Sequence, residues 1–132
     1  MLTLYSLLIS VSGLSQKEAA RFHGVRPDTV KSWSAGRNAA PEGALSEIKN
    51  LIRLQRRAAD EMVKLIKSKK MDEVELGLAS DDYEAQQQPL GWPCVSAQAQ
   101  VFGMVAGMVD IKIKIVPRGS TLGSSLAIEQ HE

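Results

Sequence analysis

The chain has 132 residues, 44% of them hydrophobic, and its 16 Lys and Arg nearly balance 15 Asp and Glu. This length suits one domain or two small ones. Cys94 is the sole cysteine, which excludes an intramolecular disulfide and fits a reducing compartment. The apolar N-terminus lacks the basic segment of a signal peptide, and no other stretch approaches membrane-spanning length. We therefore expect a cytoplasmic protein with no membrane partner.

The near-neutral net charge hides a division between the two halves of the chain. Residues 1–70 contain 13 Lys and Arg against 6 Asp and Glu, a balance of +7. Residues 71–132 contain 3 against 9, a balance of −6. A basic region attracts phosphates and an acidic region does not. The division predicts an N-terminal half that binds nucleic acid and a C-terminal half with another role.

The segment from Ser15 to Arg37 predicts two helices joined by a tight turn. Ser15 and Glu18 have the spacing of a capping box, which marks the start of the first helix. Gly24 can adopt the positive φ that ends this helix. Pro27 suits the first turn of the second helix, where its missing N–H is not needed.

The second helix of this pair has a narrow apolar face. Val30 and Trp33 lie three residues apart, so they share the face that we expect to be buried. Ala20, on the first helix, is small enough to let the two helices approach closely. Gly36 is expected to close the second helix.

These residues resemble the helix-turn-helix of lambda/434 Cro-like (XRE) repressors, and a generic helical hairpin with the same spacing is the alternative. Seven positions agree with the signature of that family without a gap: Gln16, Ala20, Gly24, Val25, Val30, Trp33 and Gly36. The resemblance covers about the first third of the chain. It implies a lambda-repressor-like helical bundle that binds DNA.

In this docking mode the second helix enters the major groove by its N-terminal end. The residues expected to contact bases are Arg26, Pro27, Asp28, Thr29, Lys31 and Ser32. Those expected to contact the DNA backbone are Gln16, Lys17, Arg37 and Asn38. Arg26 can bind guanine O6 and N7 or, alternatively, a phosphate. Asp28 can accept from cytosine N4, or only favour the positive end of the helix.

Two further segments have apolar residues at helical spacing. The first predicts a helix from Thr3 to Ser12 through Leu4, Leu7, Leu8 and Val11. The second predicts a long helix from Pro41 to about Lys69. Its apolar face either packs within a single globule or extends toward a partner subunit.

The C-terminal half predicts a strand, a loop, a helix and a second strand. Alternation marks the first strand at Val74–Leu78 and the second at Ile111–Ile115. The polar residues 81–94 predict a loop, and residues 95–108 predict a helix. A helical crossover favours parallel or mixed pairing. Glu73 and Glu75 could then meet Lys112 and Lys114.

The predicted fold class is α+β, with three segments. Residues 1–70 form the DNA-binding domain with its long linking helix, residues 71–118 a βαβ-type dimerisation domain, and residues 119–132 a flexible tail. Two strands and one helix bury too little surface to be stable alone, so we expect a homodimer. The predicted interface residues are Leu76, Val101, Met104, Val105, Met108, Ile111, Ile113 and Ile115.

The order of elements in the second half, with the pair Gly91-Trp92 before the helix, is similar to YdiL-like and anti-CRISPR-associated (Aca) regulators. This resemblance implies a dimeric autorepressor, often phage-linked, that controls its own small operon. The interrupting polar segment and the tail beyond Pro117 depart from that pattern.

The function we predict is a dimeric transcriptional repressor that reads a palindromic operator in double-stranded DNA. The alternatives are an antitoxin whose acidic half binds a toxin protein, and an RNA-binding regulator that uses the same basic surface. Enzymatic activity is not expected. His23 lies beside the turn, where we expect it to cap or pack, and His131 lies in the tail. With Cys94 they provide no metal-ligand set, so no metal or other cofactor is expected.

Overall fold

The computed structural model describes residues 2–119. They form a mixed α and β structure with a small sheet, compatible with the predicted α+β class. The elements are α1 (Leu4–Ser12), α2 (Gln16–His23), α3 (Pro27–Ala35), α4 (Glu42–Ser68), β1 (Glu73–Leu78), α5 (Asp82–Gln86), α6 (Val95–Met108) and β2 (Lys112–Pro117). The predicted tail, except Gly119, lies outside the described residues.

The chain divides into two compact units inside α4, between Leu54 and Gln55. The sequence predicts the domain boundary at residue 70, which is just after the end of α4. A helix can belong to two units because successive turns present apolar residues to different cores. Within residues 2–119, no helix combines the length and the apolar character needed to cross a membrane.

Capping residues and glycines set the ends of α1, α2 and α3. Thr3 and Ser15 each cap a helix through a complete capping box, so α1 begins at Leu4, one residue later than predicted. Gly24 ends α2 with a φ of 71°, and Gly36 ends α3 with a φ of 82°. These left-handed conformations are unfavourable for residues with a Cβ. The two glycines therefore determine where the helices stop.

The core of the first unit is made by one face of each helix. The two central residues of α2 are alanines with almost no exposed area, and α2 packs directly on α3. Small side chains permit this close approach. The buried apolar residues of the unit are Tyr5, Ile9, Leu14, Ala19, Ala20, Val30, Trp33, Ala44, Ile48 and Leu51.

The second unit contains a parallel pair of strands, as the crossover predicts. The register of the strands places Glu73 opposite Lys112 and Glu75 opposite Lys114, as predicted. On the other face of β1, Val74 and Leu76 are buried. The core continues in α4 and α6 with Ala58, Ala59, Met62, Val63, Ile66, Ala97, Val101, Phe102 and Val105.

The prediction of a loop over residues 81–94 is wrong in part, because α5 forms within it. Asp81 caps α5 by accepting from the Glu84 N–H at 2.8 Å. Asp82 accepts from the N–H of Val95 at 3.0 Å, which connects α5 to the start of α6. A helix of five residues is too short to show the apolar periodicity on which the prediction depended.

A buried amide joins α6 to the end of β1. The side chain of Gln98 is fully buried, and its Oε1 accepts from the Ala79 N–H at 2.8 Å. Its Nε2 donates to Gln88 Oε1 at 2.9 Å and to the Gly77 carbonyl at 3.4 Å. Gln98 thus satisfies backbone groups that would otherwise be buried without partners.

We expect Gln98→Leu to lower the free energy of unfolding of the second unit by about 1–3 kcal/mol, because it leaves a buried N–H without an acceptor. Denaturant titration followed by circular dichroism measures this. Gln87→Leu is the matched control, since Gln87 is exposed. Equal stability of the two variants would contradict the role assigned to Gln98.

Candidate nucleic-acid interface

The turn between α2 and α3 aligns the start of α3 without using a side chain. The Val25 N–H donates to the Ala20 carbonyl at 2.9 Å, and the Gly24 N–H donates to the Arg21 carbonyl at 3.2 Å. Arg26 is the extended N-cap of α3 but makes no side-chain capping hydrogen bond. Pro27 occupies the first turn, as predicted. The exposed Arg26 side chain is therefore available for another contact.

The predicted base-contacting residues lie on the exposed side of α3. Arg26, Pro27, Asp28 and Lys31 are exposed, and Thr29 and Ser32 are half-buried. At about 100° per residue, Lys31, Asp28 and Ser32 occupy the middle of this exposed face. Pro27 and Thr29 lie at its two edges. One helix face thus brings together three of the predicted residues and leaves two at the margin.

Ser32 and Asn38, predicted to contact different parts of DNA, are joined in the structure. Asn38 Nδ2 donates to Ser32 Oγ at 2.8 Å. Gly36 permits this, because its left-handed conformation turns the chain back along α3. The Ser32 hydroxyl keeps its hydrogen for a further acceptor. Sequence reasoning missed this pair, since a separation of six residues across a turn carries no periodic signal.

The predicted backbone-contacting residues flank α3 at the ends of other segments. Gln16 and Lys17 are exposed in the first turn of α2. Arg37 is exposed immediately after α3, and its N–H donates to the Ser32 carbonyl at 3.1 Å. Helix α2 begins with N–H groups that attract anions.

The predicted contact residues carry an excess of positive charge. Lys17, Arg26, Lys31 and Arg37 are all exposed, and none makes an ion pair with another group among residues 2–119. Asp28 is the single carboxylate among the predicted contact residues. Unpaired cations at a surface interact with solvent at no desolvation penalty, and they remain available to a polyanion.

A buried aromatic cluster lies behind the exposed face of α3. The Trp33 ring meets Tyr5 at a centroid distance of 5.3 Å and His23 at 5.8 Å. The His23 side chain is only 1% exposed, and its Nδ1 lies 3.0 Å from Glu47 Oε1. A carboxylate only accepts, so Nδ1 donates. The cluster connects all four helices of the first unit.

Sequence reasoning predicted that His23 would cap or pack, and it packs. It missed the partners of His23. Glu47 lies 24 residues further along the chain and Tyr5 lies on another helix. Neither residue has a spacing relative to His23 that a local pattern could reveal.

The predicted dimer residues fall into two groups within the second unit. Leu76, Val101 and Val105 are buried by the unit itself, so they have almost no area left for a partner. The others retain exposed area: Met104, Met108, Ile111, Ile113 and Ile115. Ile113 and Ile115 also line an apolar groove of about 450 Å³, together with Leu78 and Phe102.

No group of three or more His, Cys, Asp or Glu side chains is arranged to hold a metal ion within residues 2–119. Neither the comparison with protein-family models nor the comparison with curated proteins finds a match to this chain.

From the burial of Tyr5 we predict that the stability of the first unit falls at alkaline pH. Burial, and secondarily the negative charge of Glu47, raise the pKa of Tyr5 from 10.0 to about 12. The unfolded chain ionises first, so this contribution to stability is complete below pH 10 and is lost as pH rises from 10 to about 12. Phenolate absorbance in a Tyr83→Phe background reports Tyr5 alone, because the chain has two tyrosines.

The matched variant is Tyr5→Phe. Its free energy of unfolding should no longer fall between pH 10 and about 12 through ionisation of residue 5. Ionisation of Tyr5 at the pH of a solvent-exposed phenol would contradict the assigned burial.

Proposed function

We propose that the chain is a dimeric transcriptional repressor that binds double-stranded DNA through a lambda-repressor-like helix-turn-helix formed by α2 and α3. The observation that carries this proposal is the division of α3 into two faces. Val30 and Trp33 are buried, while Arg26, Asp28 and Lys31 are exposed toward the N-terminal end. A rigid helix with such an exposed end is what major-groove reading requires.

In the proposed complex, the N-terminal end of α3 enters the major groove. Arg26 binds guanine O6 and N7 or the adjacent phosphate, and Asp28 accepts from cytosine N4. Lys31 reaches an acceptor on a base edge. Ser32 donates its free hydroxyl hydrogen while Asn38 holds its oxygen at 2.8 Å. Pro27 and Thr29 make apolar contacts at the edges of the helix face.

The flanking residues hold the helix at the correct depth. Gln16 and Lys17 would bind the phosphate at the start of α2, where N–H groups add to the attraction. Arg37 would bind a phosphate beyond the end of α3. Such contacts set register and affinity but do not select a sequence.

Repression would follow from occupancy of a promoter by two linked copies. Two helix-turn-helix units related by a two-fold axis read an inverted repeat, with half-sites one helical turn apart. Autoregulation of a small, phage-linked operon is the setting that we propose, by resemblance to the Aca-type regulators. The acidic residues 71–132, with a balance of −6, would stay away from the phosphates.

The DNA surface can be tested with an operator selected from randomised duplexes. We expect Lys31→Ala, Gln16→Ala and Arg37→Ala each to weaken binding while the fold is retained, because all three side chains are exposed. The slope of log K against log salt should fall by about one whenever a substitution removes a cation that neutralises a phosphate. Gel-shift titrations at several salt concentrations measure both quantities.

Lys67→Ala is the control, since Lys67 is an exposed cation in the last turn of α4. Unchanged affinity in all three variants would defeat the proposal. Competition by structured RNA as effective as that by the operator would favour the RNA-binding alternative.

We further propose that the groove beside β2 is the main contact between the two copies. Ile113 and Ile115 expose apolar area there, and β2 pairs only with β1 among residues 2–119, so one edge of the sheet is open. Open apolar edges associate with other strands or surfaces. Association of two copies of the chain would bury the groove, and no other protein would be needed.

Ile115→Asp should then dissociate the dimer, because it places a charge without a partner in an apolar contact. Operator affinity should fall steeply as well, since two linked half-sites act through effective concentration. Light scattering at low micromolar concentration measures the first effect. The control is Tyr83→Asp, which alters an exposed apolar side chain elsewhere in the second unit. A tight dimer in both variants would show that another surface holds the copies together.

A further inference from the structure

Helix α1 presents an apolar stripe to solvent. Leu4, Leu7 and Val11 are 56%, 48% and 41% exposed, although the opposite face of the same helix buries Tyr5 and Ile9. At about 100° per residue, the three exposed side chains lie within one narrow arc. They are not scattered apolar residues, which would need no explanation. The three side chains therefore form one continuous surface on one side of α1.

The stripe belongs to a helix that is anchored at both ends. Thr3 caps α1 by accepting from the Ser6 N–H at 3.1 Å, and its hydroxyl donates to the Ser34 carbonyl at 3.1 Å. At the other end, Gly13 closes the helix with a φ of 78°. The exposure of Leu4, Leu7 and Val11 is therefore a property of the folded unit and not of a fraying end.

Helix α1 itself carries no charged side chain that could bind a charged partner. Residues 1–16 contain no acidic, basic or histidine side chain, although the first half of the chain is strongly basic. A charged partner would find no complementary group on α1, whereas a neutral apolar surface would find a match. The described part of the chain contains such a surface in α1 itself.

The spacing of the stripe is also self-complementary. Leu4, Leu7 and Val11 follow steps of three and four residues, which is the seam by which helices pair. Two copies of α1 crossing at Leu7 would bury all three side chains of each copy. No charge would face another charge across that contact.

The area of this contact is too small to hold two free chains together. Helix α1 has nine residues and so spans only about 13 Å. A specific interface usually buries more than about 1,000 Å². Such a contact contributes when another surface already keeps the copies at high effective concentration.

We propose that the α1 stripe packs against the α1 stripe of a second copy, as an auxiliary contact between chains associated through the second unit. This inference rests on the dimer of the proposed function but not on the DNA surface. It gives α1 a role in assembly, although all the predicted interface residues lie in the second unit.

Disulfide trapping tests the contact directly in the full chain. Helix axes in contact are 8–10 Å apart, so residues facing each other would have Cα atoms about 4–5 Å apart, within reach of a disulfide. In a Cys94→Ser background, we expect Leu7→Cys to form covalent dimers under mild oxidation, several-fold faster than Ser10→Cys. Ser10 is exposed on the same helix but lies about a quarter turn away from the stripe.

Charge insertion gives a second readout that does not depend on disulfide geometry. Leu7→Glu should weaken self-association about tenfold, because it opposes like charges across the contact, whereas Ser10→Glu should not. Sedimentation equilibrium measures this, and circular dichroism checks that both variants fold.

Equal oxidation rates for the two cysteine variants, together with equal self-association of the two glutamate variants, would overturn the proposal. Protection of Leu7→Cys from a thiol reagent by neutral phosphatidylcholine vesicles, without a covalent dimer, would also overturn it and assign the stripe to a lipid surface. A dimer that dissociates in Ile115→Asp but shows no α1 pairing in either assay would reject this inference alone. Failure of both the Ile115→Asp test and the α1 assays would reject the proposed dimer as well.

Discussion

The burial of Trp33 determines the arrangement of the first unit. Its ring lies against Tyr5 from α1 and against His23 from α2, and His23 in turn binds Glu47 from α4. Burying one face of α3 in this way leaves the opposite face exposed and prevents the helix from rotating. The packing of the aromatic rings thus sets which side chains of α3 face outward. The proposed reading of DNA depends on this orientation, since a misdirected side chain cannot bond a base edge.

In the second unit, the stability of a very small sheet is the main constraint. Two parallel strands have few ladder hydrogen bonds, and parallel pairing is slightly weaker per residue than antiparallel pairing. Gln98 compensates by bonding backbone groups at the end of β1 from within α6. Among residues 2–119, no further strand pairs with the other edge of β2. The apolar groove beside it is consistent with a surface that is completed by association.

Charge and apolar area are distributed so that each surface favours a different partner. The surface formed by α3 and the residues that flank it combines four exposed cations with short polar side chains, and we propose phosphates and base edges as its complement. The α1 stripe and the β2 groove combine apolar area with an absence of charge or an open edge. We propose that copies of the same chain cover those surfaces. Polyanion binding and self-association therefore need not compete for the same residues.

The sequence by itself determined the local features of this protein. The capping box at Ser15, the glycines at positions 24 and 36, and the alternation in β1 and β2 depend on neighbours a few residues apart, so the sequence predicts them. The capping box at Thr3 was not predicted, and α1 begins one residue later than expected. The short helix α5 was not predicted either, because five residues carry no period. The tertiary structure alone decided which long-range partners meet. Glu47 reaches His23, Asn38 reaches Ser32, and Leu76 lies inside its own unit and not at a free surface. Those outcomes depend on how distant segments pack, and burial of a side chain by another segment leaves no pattern in the sequence around it.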